Sequence, residues 1–559
     1  MNRTRRFGRT KVRPCTLKRA PLAALVLLLT PVMFAASVRD FITERFRGPN
    51  VQVREVAKIQ EHVFDGKLHL NVKDFIELLL KNNTEINLVR LDVLNAADAV
   101  LSAKTPFDPF IQGIFNSTRS VTPQFSQIGG AANLSSLGES STINYQQTLE
   151  SGQILSFSFN GFRSSTNSEF YYLNPNISTF MNFQVTQPLL QGRRNLQLRA
   201  PLMIARTQLL ITSDQSETRI ADLVAAYASQ YWDAVQARDN IKVQQQAYDL
   251  AQKSYERDKL ALDLGALPSL DIFQSQSQVA QRKVAVIQAQ YAYRDALDGL
   301  RRLIGADLDP ATRNIEIVLE DDPVAKVEPV APTEEAISTA LQKRPELSAV
   351  RRHQGINDLN ARVSRDSMLP RFDLSAFGGG NGLGGNQIAV TGPLGSAPTT
   401  VAVGGLGDAL YQMFAFQAPS YGFQVSMTLP VRNSSAEAGL ADALVSRARD
   451  RYTERQLEQQ VIQDVKLATS QIQMSAAQIE AAKTARDLAQ KNVEAEQQKY
   501  ELGGVTAFEV LDAQSRLATV ESSLLQAYVG YRKALIGYER AVWTLLDGLG
   551  IIVEMPKVR

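Results

Sequence analysis

The sequence predicts a mainly α-helical protein with β segments, built as two copies of one helix–strand–helix unit. Three observations carry that reading. The chain repeats itself, with matched segments in the same order in both halves. A seven-residue apolar period runs unbroken along one very long helix and nearly so along a second. Each repeat also holds a β segment almost free of charge.

The repeat is read directly from matched segments. Leu80-Lys-Asn-Asn-Thr-Glu-Ile86 aligns with Leu341-Gln-Lys-Arg-Pro-Glu-Leu347 at an offset of 261, and the same offset carries Pro109 onto Pro370. Phe183-Gln-Val-Thr186 matches Phe423-Gln-Val-Ser426, and Asp249-Leu-Ala-Gln-Lys253 recurs unchanged as Asp487–Lys491. Leu264-Gly265 then matches Leu502-Gly503, and Tyr293-Arg294 matches Tyr531-Arg532. Matches that keep one order through both halves indicate duplication. The chain therefore divides into a leader at 1–37, an extension at 38–66, a first repeat at 67–310, a linker at 311–332, a second repeat at 333–547 and a tail at 548–559. Within the repeats the expected elements are a helix (73–104; 333–367), a β region (107–190; 369–431), a long helix (194–264; 438–502) and a last helix (269–304; 507–546).

The long helices rest on periodicity. Ile220, Tyr227, Ala234, Ile241, Tyr248, Tyr255 and Leu262 are spaced by seven, and Val465, Ile472, Ile479, Val493 and Tyr500 keep that phase, broken only at Arg486. A sustained seven-residue period is a coiled-coil seam. Seventy residues at 1.5 Å each give a rod of ~105 Å. Only the two shorter helices of a repeat, laid end to end, match such a length.

The β regions differ in chemistry. Residues 107–190 hold six charged residues and ten of the 23 phenylalanines, and between Leu374 and Val431 the only charge is Asp408. Thr142–Glu150 and Gln153–Arg163 flank Ser151-Gly152 and read as a hairpin. Neutral, aromatic, alternating strands suit a lipid-facing barrel wall; an ordinary β-sandwich is the alternative. Gly378–Gly407, with eleven glycines, reads as a long flexible loop and not a phosphate cradle, since no Gly-Lys-Ser/Thr follows.

Composition narrows the function. The chain has 559 residues and a formal net charge of +3, but eight of its 60 basic residues precede residue 20. Without them 52 basic residues face 57 acidic ones, which argues against a nucleic-acid partner. That basic start, the apolar run Ala20–Leu29 and the small residues Ala35, Ala36 and Ser37 form a Sec signal peptide. Its removal takes away Cys15, the only cysteine. Later residues offer no run of 18 apolar positions, so any membrane crossing is a β-barrel. Three scattered histidines make no metal site, no cofactor is expected, and no catalytic motif stands in its structural context.

Leu80–Glu85, Ala96-Ala97, Phe107-Asp-Pro109, Thr186-Gln-Pro-Leu-Leu190 and the two Leu-Gly turns, in this order and spacing, resemble the TolC-like outer-membrane efflux protein family over roughly residues 67–547. The resemblance implies a homotrimer in outer-membrane lipid. Each protomer would give four strands to a shared 12-stranded barrel, and the helices would form a periplasmic coiled-coil α-barrel. That tunnel would meet a periplasmic adaptor protein and an inner-membrane transporter. The region 107–190 is longer than two strands need, so part of it is expected outside the membrane. Barrel closure supplies an independent reason for several copies, because open sheet edges are not tolerated in lipid.

By the same resemblance the turns Leu264-Gly265-Ala266-Leu267-Pro268 and Leu502-Gly503-Gly504-Val505-Thr506 are adaptor-facing hairpin tips. Glu509 and Asp512, three apart on one helix face, line the periplasmic aperture, although helix-start carboxylates are also ordinary dipole complements. Tyr500 and Asp271 form a tip contact, while Val505 stands where the family often has an arginine. The reading is an export duct without catalysis of its own. A periplasmic adaptor is the alternative, and an enzyme on a coiled-coil scaffold has no site to support it.

Overall fold

The computed structural model describes residues 59, 63–124, 133–168, 171–264, 272–308, 310, 312–324, 331–389 and 399–550. The signal peptide, most of the extension and Gly265, Ala266, Leu267, Pro268 and Asp271 lie outside them.

Short strands β1 (Val63–Phe64) and β2 (Lys67–Leu70) lead into helices α1 (Val72–Asn82) and α2 (Thr84–Ser102). Strands β3 (Phe110–Pro123), β4 (Asn133–Thr148), β5 (Ile154–Thr166) and β6 (Leu173–Pro188) follow, then α3 (Leu196–Asp263) and α4 (Ile272–Leu303). Strand β7 (Glu316–Leu319) lies in the linker, and the second half has α5 (Thr333–Lys343), α6 (Pro345–Ser367), β8 (Arg371–Ala389), β9 (Thr399–Ala402), α7 (Leu406–Phe414) and β10 (Ala418–Thr428). Helices α8 (Ser434–Glu501), α9 (Ala507–Val542) and α10 (Leu545–Gly548) complete it.

Helices expected as single rods at 73–104 and 333–367 are each broken, at Asn83 and at Arg344, which are 261 residues apart like the repeat itself. Both residues have an extended ψ, 126° and 122°. Two different chemistries force the same break. In the second half Pro345 denies Arg344 the helical conformation. In the first half the Asn83 side chain accepts from the Ile86 N–H at 3.1 Å and so starts a new helix. Its Nδ2 also donates to the Leu303 carbonyl at 3.0 Å. The helix expected at 507–546 stops at Val542, where Trp543 turns left-handed at φ 66°.

Along α3 the two shorter helices do lie end to end. Arg219 and Tyr227 bond Glu85 of α2, whereas Asp258 bonds Ser275 of α4. The second half repeats this, with α6 joined to α8 by Arg351–Glu454 and Asn357–Asp450. The halves also interlock, because Arg540 of α9 reaches Asp222 of α3 at 2.5 Å and Glu346 of α6 at 3.3 Å. Arg486, the break in the apolar phase, is half-exposed and stands 4.0 Å from Glu521 of α9. Burial pushes that carboxyl above its ordinary value, and the guanidinium opposes the shift.

The end of the extension and the linker meet in one sheet, β1–β2–β7, in which β2 pairs with β7 in parallel. It is fastened to α3 by Tyr231, whose hydroxyl donates to Leu70 O at 2.9 Å and Asp321 Oδ2 at 2.7 Å. Arg238 donates to Leu319 O at 2.6 Å and Asp321 O at 2.8 Å. Tyr231 and Phe75 are both fully buried, their rings 5.5 Å apart. Each such side chain contributes about 1.5–3 kcal/mol of burial.

The β regions share one antiparallel sheet in the order β10-β8-β6-β5-β4-β3. The four strands per protomer implied by the resemblance are thus six long ones among the described residues, and no part of β3–β6 stands apart from the sheet. Ser141 faces both Phe115 and Gly161, Gly161 faces Thr179, and Thr179 faces Gly382, so β3, β4, β5, β6 and β8 lie side by side in one register. The expected hairpin is β4–β5, closed by Leu149 N–H to Gln153 O at 2.8 Å with Gly152 at φ 98°. One face carries Phe115, Tyr145, Phe157, Phe183 and Phe423, and the other is rich in Ser, Thr, Asn and Gln.

Much of the expected flexible glycine loop is strand. Helix α7 lies so close to β8 that a Cβ on Gly380, Gly382 or Gly384 would stand 2.4, 1.8 or 2.2 Å from the carbonyl oxygens of Met413, Ala409 and Gly405. The glycines make room for a helix backbone rather than for motion. Residues 390–398, the middle of that stretch, lie outside the described residues.

Replacing Asn83 by Ala removes both a cap and a buried bridge to α4. It is expected to lower stability by about 1–3 kcal/mol in denaturant unfolding followed by helical circular dichroism. Asp92→Ala, at an exposed site on α2, should leave it unchanged.

Candidate functional site

Helices α3 and α8 run to the same end, about 100 Å from the sheet at 1.5 Å per residue. There the structure joins the two halves through a buried carboxylate. Asp258 of α3 is 1% exposed. Ser275 Oγ of α4 donates to its Oδ2, and the Tyr500 hydroxyl of α8 donates to Oδ1 at 3.0 Å. Arg257 Nη2 lies 3.4 Å from Oδ1, and its guanidinium sits 4.3 Å from the centre of the Tyr500 ring. A buried carboxylate is costly unless it is paired and hydrogen-bonded. Here its partners come from three helices, so separating the hairpins strands the charge. One turn inward, Gln514 Nε2 of α9 donates to Ser254 Oγ at 3.1 Å.

The Tyr500 hydroxyl meets Asp258; Asp271, the partner expected for it, lies outside the described residues. The guanidinium at this joint is that of Arg257, on the first hairpin. Sequence reasoning missed Asp258, although a signal was there. Ala247, Ala251, Ser254 and Asp258 are all buried and follow a 4-3-4 spacing beside the aromatic row. An acid closing a row of small buried residues needs partners.

The second tip turn follows from its glycines. Gly503 N–H donates to Tyr500 O at 3.0 Å and Gly504 N–H to Lys499 O at 2.8 Å, with Gly503 at φ 76°. That pair of bonds is the Schellman close of a helix, and it needs a left-handed residue. Two residues later Thr506 starts α9. Glu509 Oε2 accepts from the Thr506 N–H at 2.6 Å, and the Glu509 N–H donates to Thr506 O at 3.2 Å. Asp512 pairs with Arg516 at 2.8 Å. Glu509 and Asp512 thus both have partners within their own helix start. Around them Leu264, Phe273, Leu502 and Phe508 are exposed by 57–87%. Among the described residues the arrangement is an apolar-fringed joint held by one buried acid.

A family model described as outer membrane efflux protein matches residues 150–306 and 336–539, well over half of the chain. No curated protein matches it. Among solved structures, a membrane protein from Pseudomonas aeruginosa is similar at 16% identity and a TM-score of 0.59, over 89% of this chain and 99% of that one. CusC is similar at 16% identity and 0.60, over 89% and 99%. The Campylobacter jejuni CmeC outer membrane channel is similar at 14% identity and 0.58, over 89% and 94%.

Tyr500→Phe removes one hydrogen bond to a buried charge, a loss of about 1.5–3 kcal/mol. Amide exchange in the last two turns of α3 and α8 should accelerate at least tenfold. Tyr452→Phe, an exposed site on the same helix, should change nothing.

Proposed function

This chain belongs to the outer membrane efflux protein family, and on that premise we propose that it is a trimeric export duct running from the periplasm through the outer membrane. The observation that carries the proposal is a sheet with one apolar and one polar face, open at both edges, at the far end of two ~100 Å helices from the tips. An open edge in lipid requires another strand, and further copies of the chain supply it.

In this reading the tips Leu264–Pro268 and Leu502–Thr506 meet a periplasmic adaptor protein, which couples the duct to an inner-membrane transporter. The exposed Leu264, Phe273, Leu502 and Phe508 support such a contact, since apolar side chains at the end of a rod gain most by being covered. The Asp258–Tyr500 joint keeps the two hairpins together and the inner end narrow. Release of that joint lets them part. Around a threefold axis Glu509 and Asp512 of each copy form the aperture ring, concentrating cations there. Within one copy their carboxylates cap α9 and pair with Arg516, so the ring is made from groups already fixed in place. The alternative, an adaptor, lacks support, because the family match spans both halves.

The test is a planar bilayer. The purified protein should behave as a detergent-resistant trimer and give discrete, cation-selective conductance. A folded, monodisperse monomer without conductance sinks the reading. Glu509→Gln with Asp512→Asn keeps the capping geometry but removes six charges per trimer. It should weaken cation selectivity and block by multivalent cations severalfold. Identical traces would make these residues helix-start carboxylates only. Gly503→Val, forced to φ 76°, should abolish export while trimer yield and membrane insertion are retained. Export that survives it places docking elsewhere.

A further inference from the structure

The β4–β5 hairpin is a pair of full-height staves in the sheet. Its turn at Ser151-Gly152 sits at the helical side, where Asn195, the residue before α3, donates from Nδ2 to Leu149 O at 3.0 Å. Its strands are 16 and 13 residues long, enough to cross a membrane as tilted strands of ~9–11 residues. Its two faces match their neighbours. Ile143 and Phe157 continue the apolar band, and Asn144 and Ser158 continue the polar one. Above the band the apolar face turns polar at Arg163 and Glu139, paired at 2.6 Å, as expected where a wall leaves hydrocarbon.

Among the described residues the outermost long strands are β3 and β10, and they run in opposite directions. With six strands alternating up and down, β10 of one copy meets β3 of the next antiparallel, head to tail, for any number of copies. Such a heterologous contact closes into a ring when the rotation allows. Along the polar face of the six long strands the only charged residues are Arg371 and Asp373, bonded to each other at 2.6 Å at the base.

Resting on the trimer proposed above, we infer that the outer-membrane barrel of this protein has eighteen strands and a neutral polar lumen. At ~4.8 Å between strands and ~40° of tilt, eighteen strands give a backbone diameter of ~36 Å against ~24 Å for twelve. Eighteen is the size class that leaves an open aqueous channel. Passage of hydrated solutes is then limited at the tip joint and not in the membrane. The wall itself imposes little charge selectivity.

Cysteine scanning in a Cys15→Ser background tests the placement of the hairpin in native outer membranes. Asn144→Cys and Ser158→Cys should react with a membrane-impermeant thiol reagent, and Ile143→Cys and Phe157→Cys should react at least tenfold more slowly. Equal reactivity on both faces puts the hairpin in water and overturns the inference. Cryo-electron microscopy of the intact protein in lipid nanodiscs decides the count. Three copies with eighteen strands are expected. Three copies with β4–β5 outside a twelve-stranded wall, or two copies sharing twelve strands, overturn the inference; the former leaves the export duct standing. A protein with no closed barrel overturns the duct reading itself.

Discussion

A strand at the edge of a sheet in hydrocarbon has nowhere to put its N–H and C=O groups, and the rest of this molecule follows from that constraint. Strands β3 and β10 cannot be shielded by their own chain, because each lies at an end of a sheet whose interior is filled by β4, β5, β6 and β8. The exposed aromatics Phe115 and Phe423 rule out water as a comfortable solvent for the same face. Closure with other copies satisfies both demands together. Helices α3 and α8 each follow a strand of this sheet, so the place of those strands sets where the long rods begin.

Long rods bring a second demand. A helix of 68 residues can be buried along its length only if two shorter ones meet beside it, and the meeting point must end one helix and begin the next. Asn83 and Arg344 do this in buried positions. Asn83 uses its amide both as a cap and as a tie to Leu303 O. Arg344 donates instead to Ala541 O at 2.9 Å and pairs with Asp464 at 3.0 Å. The small β1–β2–β7 sheet packs near the same level, tied to α3 by Tyr231 and Arg238. Side-chain bonds to the carbonyls of Leu303, Ala541, Leu70, Leu319 and Asp321 therefore tie the rods together here, where sequence reasoning assigned the extension no role.

What was legible in the sequence was periodic. The apolar row from Ile220 to Leu262 lies within α3 and stops one residue short of its end, and Ser151-Gly152 gave the β4–β5 turn. What was not legible depended on partners distant in sequence. Asn83 carries a local cap signal in its bond to the Ile86 N–H, but its tie to Leu303 lies 220 residues away and has no trace in the local sequence. The glycines of β8 read as flexibility because the helix backbone that fills their space comes some twenty to thirty residues later. Asp258 sat unnoticed among helical charges because its burial depends on Tyr500, 242 residues on.

The two halves have diverged unequally, and the sheet shows why. Each β region must leave the helices and return to them, so the strands it sends across must be even in number. The first half crosses four times and the second half twice. A single added strand would deliver α3 to the wrong side of the membrane, so growth comes only as hairpins such as β4–β5. The helical layer has no such freedom. Its two halves pack against one another through Arg540–Asp222, Gln514–Ser254 and Tyr500–Asp258, and a change of length in one would misalign every contact with the other. Duplication therefore stays visible in the rods, while the sheet is free to change its width two strands at a time.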